Sequence, residues 1–168
     1  MPSMKILLIA GGWSSEREVS LTGARGMQEA LLKRGHAVTF FDLLENFDEL
    51  LETARQHDFA LINLHGSPGE DGLVQAMLEK ADCPYQGSGP SGSFLALNKA
   101  AAKQIFRMAG LPTADWEFLP VRPAEGWEPR LPWPLFVKTT TGGSSLRLGR
   151  ATNRQELDAL MDEIFAAG

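Results

Sequence analysis

Cysteine is nearly missing from this chain: Cys83 stands alone among 168 residues. One thiol cannot build an internal disulfide framework, and such usage fits a reducing compartment. Basic residues are also in deficit, 16 Lys and Arg against 21 Asp and Glu, for a net charge of −5. No basic stripe is there to displace counterions from a phosphate backbone, which argues against non-specific nucleic-acid binding. No apolar run approaches the ~20 residues that span a bilayer. The opening Met-Pro-Ser-Met-Lys runs into a strand pattern without the charged segment and apolar stretch of a signal peptide. These absences predict a cytoplasmic protein with no membrane partner. What is present is ordinary for a globular chain, 43% hydrophobic and 22% charged residues. The length holds one good core, or one domain and part of another.

Residues 5–9 form a continuous apolar run, as expected of a strand covered on both faces. The run turns through Gly11-Gly12-Trp13-Ser14-Ser15-Glu16-Arg17-Glu18-Val19-Ser20-Leu21 into a helical pattern. A strand–turn–helix unit sets its turn at the carboxyl edge of the sheet, where open α/β sheets bind ligands. A turn for phosphate is electropositive, helped by the helix N-terminus. This one carries Glu16 and Glu18 with one arginine, and better suits a cation such as an ammonium group. Glu18 also completes a capping box with Ser15, a reading that leaves Glu16 without a structural task. The helix stripe runs Val19, Gly23, Met27, Leu31, with Ala24 and Ala30 beside it, and stops at Gly35.

A second strand is predicted over 37–41, closed by Asp42, which either reads a ribose or simply ends the strand. A short helix follows over 47–56 and a third strand over 59–64. The loop His65-Gly66-Ser67-Pro68-Gly69-Glu70-Asp71-Gly72 then holds three glycines and a proline in eight residues, which makes it shaped. Asp71 can cap a helix over 73–81. His65 reads either as a strand-end histidine bonded to backbone or as one wall of a cleft shared with the first loop; its position beside that loop's exit favours the cleft. Three βα units in succession predict a parallel, doubly wound sheet. Gly87-Ser88-Gly89-Pro90-Ser91-Gly92 matches G-x-G-x-x-G by letter but does not follow a first strand, so it reads as a turn into a helix.

One helix is predicted over 93–108, carrying Lys99 and Lys103 and ended by Gly110 and Pro112. Five of the ten prolines then fall within 119–134, which excludes a helix and marks a long connector or hairpin arm. The composition change places a domain boundary near residue 98. A strand over 135–138 ends in Lys138 and leads to Thr139-Thr140-Thr141-Gly142-Gly143-Ser144-Ser145. A returning strand is expected over 146–148, then a helix over 154–165 with Leu157, Leu160, Met161 and Ile164 on one stripe. The glycine- and hydroxyl-rich loop can offer N–H and O–H donors to phosphate, with Lys138 as a point charge. Its order differs from a Walker A loop, where the lysine follows the glycines. It is either a flap over a nucleotide or a hairpin without a ligand.

Four segments in this order resemble the D-alanine–D-alanine ligases, which are ATP-grasp enzymes. They are Gly11-Gly12-x-Ser14-x-Glu16-Arg17-Glu18-Val19-Ser20-Leu21; His65-Gly66-x-x-Gly69-Glu70-Asp71-Gly72; Tyr85-x-Gly87-Ser88-Gly89 with Lys99 after it; and Val137-Lys138 before Gly143-Ser144-Ser145. The resemblance covers nearly the whole chain. It implies an α/β fold in which residues 1–98 form a Rossmann-like, substrate-binding pre-ATP-grasp domain with a parallel sheet. Residues 99–168 would be the first part of an ATP-grasp small domain. The implied reaction uses ATP to activate one D-alanine as an acyl phosphate, which the amine of a second D-alanine attacks, in peptidoglycan precursor synthesis. Glu16 would hold the first substrate's ammonium, and Ser144 would bond with that glutamate, the two forming the catalytic pair. Ser20 and His65 would line the same substrate pocket. Lys99 and Lys138 would sit on the ATP phosphates, with Gly143 and Ser145 in the loop above them. A homodimer through the first domain is also implied.

The chain departs from the family's usual pattern at four places. Asn98 stands where aspartate is usual, Thr139 where proline is, Gly142 where an acid is, and Leu146-Arg147-Leu148-Gly149 where Val-Gly is. Three of these fall around the loop that carries Ser144, and none falls in the Glu16 turn. The resemblance implies ATP and Mg²⁺ as cofactors, but nothing after Gly149 resembles the later ATP-grasp motifs with their acidic Mg²⁺ ligands, so no metal ligand is assigned in this chain and they are expected in an absent C-terminal part. The expectation is an N-terminal portion of a ligase that is inactive alone. Within the enzyme class the alternative acceptor is D-lactate or D-serine; outside it, the alternative is a non-catalytic binding or oligomerisation module.

Overall fold

A computed structural model describes residues 2–143 and 147–166. The chain divides into two units, Met1–Leu95 and Ala96–Gly168.

The first unit is built on β1 (Lys5–Ala10), the apolar run expected from the sequence. It lies between β2 (Ala37–Asp42) and β3 (Phe59–Ile62), parallel to both, in the order β2-β1-β3. Alternate side chains of a strand point to opposite faces, so this one run supplies two cores. Leu7 and Ile9 pack with Leu43, Leu50, Val74 and Leu78 on one side. Leu8 and Ala10 meet Ala24, Leu21 and Val38 on the other. Leu7, Leu8 and Ile9 are fully buried, each stabilising the unit by about 2 kcal/mol on area grounds. The parallel, doubly wound expectation therefore holds, and the fold is α/β.

Helix α1 (Arg17–Lys33) departs from its predicted face. Val19 is 60% exposed and Met27 is exposed, while Ser20 and Ala24 are buried. Small residues win because the helix lies close to the sheet: a Cβ on Gly23 would come within 3.0 Å of Asn63 Nδ2. The capping box does not form either. Glu16 is the N-cap without a side-chain cap bond, and its own N–H donates to Ser14 Oγ at 3.2 Å. The helix expected over 47–56 starts earlier, as α2 (Leu43–Asn46), a 3₁₀ turn (Phe47–Glu49) and α3 (Leu50–Ala54). Asp42 causes the early start by accepting Leu44 N–H at 3.1 Å. After β3, α4 (Leu73–Lys80) begins with its first N–H donated to Asp71 Oδ1 at 3.0 Å, as expected of that residue. Cys83 follows, 3% exposed, and burial pushes its thiol pKa up.

The single helix predicted over 93–108 is two, α5 (Pro90–Leu97) and α6 (Lys99–Met108). Asn98 breaks it: its backbone is extended and its Oδ1 accepts Ala101 N–H at 3.0 Å. Asparagine competes for backbone donors in this way and so favours caps over helix interiors.

In the second unit β4 (Leu135–Lys138) pairs antiparallel with β5 (Leu148–Ala151), Lys138 opposite Leu148. The returning strand thus lies later than the 146–148 expected, and Leu146 falls outside the described residues. Helix α7 (Arg154–Ala166) buries Leu157 and Met161 against Ala151. A Cβ on Gly149 would overlap Leu160, so glycine there lets the helix approach the strand. Residues 111–134 contain neither helix nor strand and are pinned by side chains. Lys103 donates to Thr113 Oγ1 at 2.9 Å and Ala114 O at 2.7 Å, and Arg107 lies 4.3 Å over the Trp116 ring. Among the described residues no helix is long and apolar enough to cross a membrane.

Candidate functional site

In the first unit, the carboxyl ends of β1 and β3 are tied together through α1. Gly11 N–H donates to Ser20 Oγ at 2.8 Å, the Ser20 hydroxyl donates to Asn63 O, and Asn63 Nδ2 donates to Ser20 O at 2.7 Å. Ser20 is fully buried. Its hydroxyl bonds to two backbone groups and holds the strand ends in place.

A second clamp fixes the glycine turn. Arg17 pairs with Asp42 through both nitrogens, at 2.7 and 2.6 Å, and Arg17 Nη1 donates to Gly12 O at 3.3 Å. The guanidinium holds the Asp42 carboxyl below the usual aspartate range, and the same hydrogen bond raises Arg17. Gly11 has φ +78, and a Cβ there would lie 2.5 Å from Arg17 Nη1 and 2.6 Å from Asp42 Oδ1. Only glycine satisfies both the backbone and the close approach. Asp42 is thus a structural anion, and its ribose reading is set aside.

With the turn fixed, Glu16 is presented beside the second loop. A Cβ on Gly66 would stand 3.4 Å from Ser14 Cβ and 4.0 Å from Glu16 Oε2, so the carboxylate runs alongside the backbone next to His65. A Cβ on Gly12 would stand 3.3 Å from Leu64 Cδ2 and 3.5 Å from Pro68 Cδ, and Gln75 Nε2 donates to Gly69 O at 2.6 Å from beneath. His65 is half-buried. The two loops singled out in the sequence are therefore neighbours within one unit, with an acid at their junction.

In the second unit the charge is reversed. Lys99 opens α6, its N–H donating to Thr140 O at 2.9 Å and its ammonium to Gly142 O. Burial, and then the nearby Lys138 charge, push the Lys99 pKa below the ordinary lysine value. Two cations on one cavity wall, one of them partly desolvated, make a site that an anion would stabilise. Both lysines line a cavity of about 600 Å³, whose apolar walls include Trp116, Phe136 and Met161. Such a cavity can take an apolar group with its phosphates directed at the lysines. Gly143 is exposed with open space around its Cα. Ser144 and Ser145 lie outside the described residues. Among the described residues no three His, Cys, Asp or Glu side chains form a metal-binding group. Asn63 and the Arg17–Asp42 clamp escaped the sequence reading, because nothing in spacing marks a side chain that works on backbone across strands.

No protein-family model matches the chain. In sequence it is 76% identical over 165 residues to the D-alanine–D-alanine ligase of Desulfovibrio desulfuricans, covering 98% of this chain and 54% of that protein. It is 64% identical over 163 residues to the ligase of Nitratidesulfovibrio vulgaris strain Hildenborough, covering 97% and 54%. In structure it is similar to the D-alanine–D-alanine ligase of Bacillus anthracis solved in complex with ATP. The TM-score is 0.85 and the identity 34%, over 98% of this chain and 56% of that one. The chain spans about half the length of the relatives it matches. With identity this high along nearly all of its residues, the chain belongs to the D-alanine–D-alanine ligase family.

Proposed function

We propose that this chain supplies the substrate-ammonium site and part of the phosphate site of an ATP-dependent D-alanine–D-alanine ligase. The enzyme would work in the cytoplasm, in peptidoglycan precursor synthesis. One observation carries the reading: the two loops of the first unit meet at a carboxylate, Glu16, while the second unit holds Lys99 and Lys138 as neighbouring cations. Acid suits the amino group of an amino acid, and paired ammonium groups suit a triphosphate.

In this reading Glu16 receives the ammonium of the first D-alanine, with His65 on the same wall. Lys99 and Lys138 hold the ATP phosphates with help from Gly143; the roles that the resemblance implies for Ser144, beside Glu16, and for Ser145, on ATP, fall outside the described residues. ATP supplies the phosphoryl group that activates the carboxylate of one D-alanine for attack by the amine of the second. The chain's own residues orient the reactants and neutralise charge, which is most of what such a transfer requires of a protein. Residues 1–98 would then be the substrate-binding domain and 99–168 the first part of the ATP-grasp small domain. Mg²⁺, which the resemblance implies, would be held by acidic residues of the later ATP-grasp motifs and would neutralise the phosphates.

The test uses a full-length ligase carrying this sequence. Glu16→Gln should lower kcat/KM for the first D-alanine about a hundredfold, the scale of losing one well-placed charged contact at a reacting centre. Use of ATP should change little. Unaltered kinetics for that amino acid would remove Glu16 from the site.

A further inference from the structure

The loop that follows β4 is shaped by one side chain. Gly142 N–H donates to Thr139 Oγ1 at 3.1 Å, closing a turn of four residues. A Cβ on residue 142 would overlap that same oxygen, so the turn accepts only glycine there. The turn in turn aims its backbone at α6: Thr140 O accepts Lys99 N–H at 2.9 Å, and Gly142 O accepts the Lys99 ammonium. Thr139 is itself half-buried and lines the same cavity as Lys99 and Lys138.

We infer that Thr139 is a positioning residue for Lys99, acting through the Gly142 carbonyl. The hydroxyl fixes the turn, the turn fixes the carbonyl, and the carbonyl holds the ammonium at the cavity wall beside Lys138. The inference rests on the reading of Lys99 as a phosphate ligand and adds the group that sets its place. The ammonium has three donors, so a phosphate oxygen in the cavity can accept from it while the Gly142 carbonyl keeps its own bond.

The experiment is trace acetylation of lysines in the 168-residue chain, read by mass spectrometry, with and without inorganic tripolyphosphate. Thr139→Val keeps the side-chain shape and removes the acceptor. Lys99 should then acetylate about fivefold faster, the scale of one ordinary hydrogen bond, while Lys5 and Lys80 in the first unit keep their rates. Thr139→Ser should restore the protection. Gly142→Ala should mimic Thr139→Val, and the double variant should add nothing to either. An unchanged Lys99 rate in Thr139→Val overturns the inference, as does full additivity in the double variant. If Thr139→Val behaves as expected but tripolyphosphate protects neither Lys99 nor Lys138, the phosphate reading fails and the positioning role stands without it. A global unfolding of Thr139→Val would raise the rates of all lysines together, and Gly142→Ala alone then decides the matter.

Discussion

The two units of this chain are held together by different physics. The first buries complete side chains on both faces of a parallel sheet: Leu7, Leu8, Ile9, Leu43, Leu50 and Leu78 are fully inaccessible. The second buries Ala151, Leu157 and Met161 beneath a two-stranded ribbon, while Met108 is 78%, Val121 69% and Phe136 62% exposed. A two-stranded ribbon is marginal by itself and needs a helix or further strands against it. What the second unit lacks in burial it replaces with charged pins. Arg154 reaches Asp158, Glu128 and Trp127 O, and Arg122 reaches Asp158 and Asp162. The lesson is that a well-packed frame presents the acid, whereas the lysines sit on a frame held by polar contacts.

That contrast can be broken or sharpened by measurement. Leu8→Ala should cost about 2–5 kcal/mol, the usual range for a large core truncation. In denaturant it should move the unfolding of the first unit and leave that of the second in place. A single transition shifted as a whole would contradict the contrast. Ser20→Ala comes next, at about 1–3 kcal/mol, because it leaves Gly11 N–H and Asn63 O buried without their partner. Both variants can be read by urea titration.

Asp42→Asn probes the clamp by its pH dependence. The Asp42 pKa is lowered in the fold, so its pairing stabilises the protein above the ordinary aspartate range. That contribution is lost as pH falls through the lowered value. The stability gap between wild type and Asp42→Asn should therefore be full at neutral pH and close in acid. A gap that stays constant would mean that Arg17 gains nothing from the carboxylate. Arg122→Ala should have the smallest effect, about 1 kcal/mol or less, because its pairs with Asp158 and Asp162 are partly open to solvent. Its effect should shrink further in high salt, because screening already weakens those pins. The first unit should hardly notice the same salt.

Much of the first unit was legible because burial there is written as periodicity. The run at β1, the glycine stop at Gly35 and the shaped loop after β3 all appeared in the sequence as they stand in the fold. The buried face of α1 was legible only in part: Ala24, beside the expected stripe, is buried, but Ser20 turns inward while Val19 and Met27 stay exposed. Hydrophobicity cannot announce a serine whose hydroxyl is satisfied by strand-end backbone. The helix predicted over 93–108 failed for a related reason: its composition is helical throughout, and only the capping chemistry of Asn98 divides it. In the candidate site, Glu16 was legible through its charge, standing in a turn where phosphate binding would have called for the opposite sign. The arrangement around Lys99 was hidden, because it depends on a carbonyl, and carbonyls carry no letter in a sequence.

The lone thiol has a practical consequence. Cys83 lies at the end of α4 with its sulfur shut away from solvent and its ionisation suppressed, so an alkylating reagent must wait for the frame around it to open. Because no second sulfhydryl competes for the reagent, the label reports on the first unit alone. The protein carries its own stopwatch for how often its sturdier half comes apart, without any engineered probe.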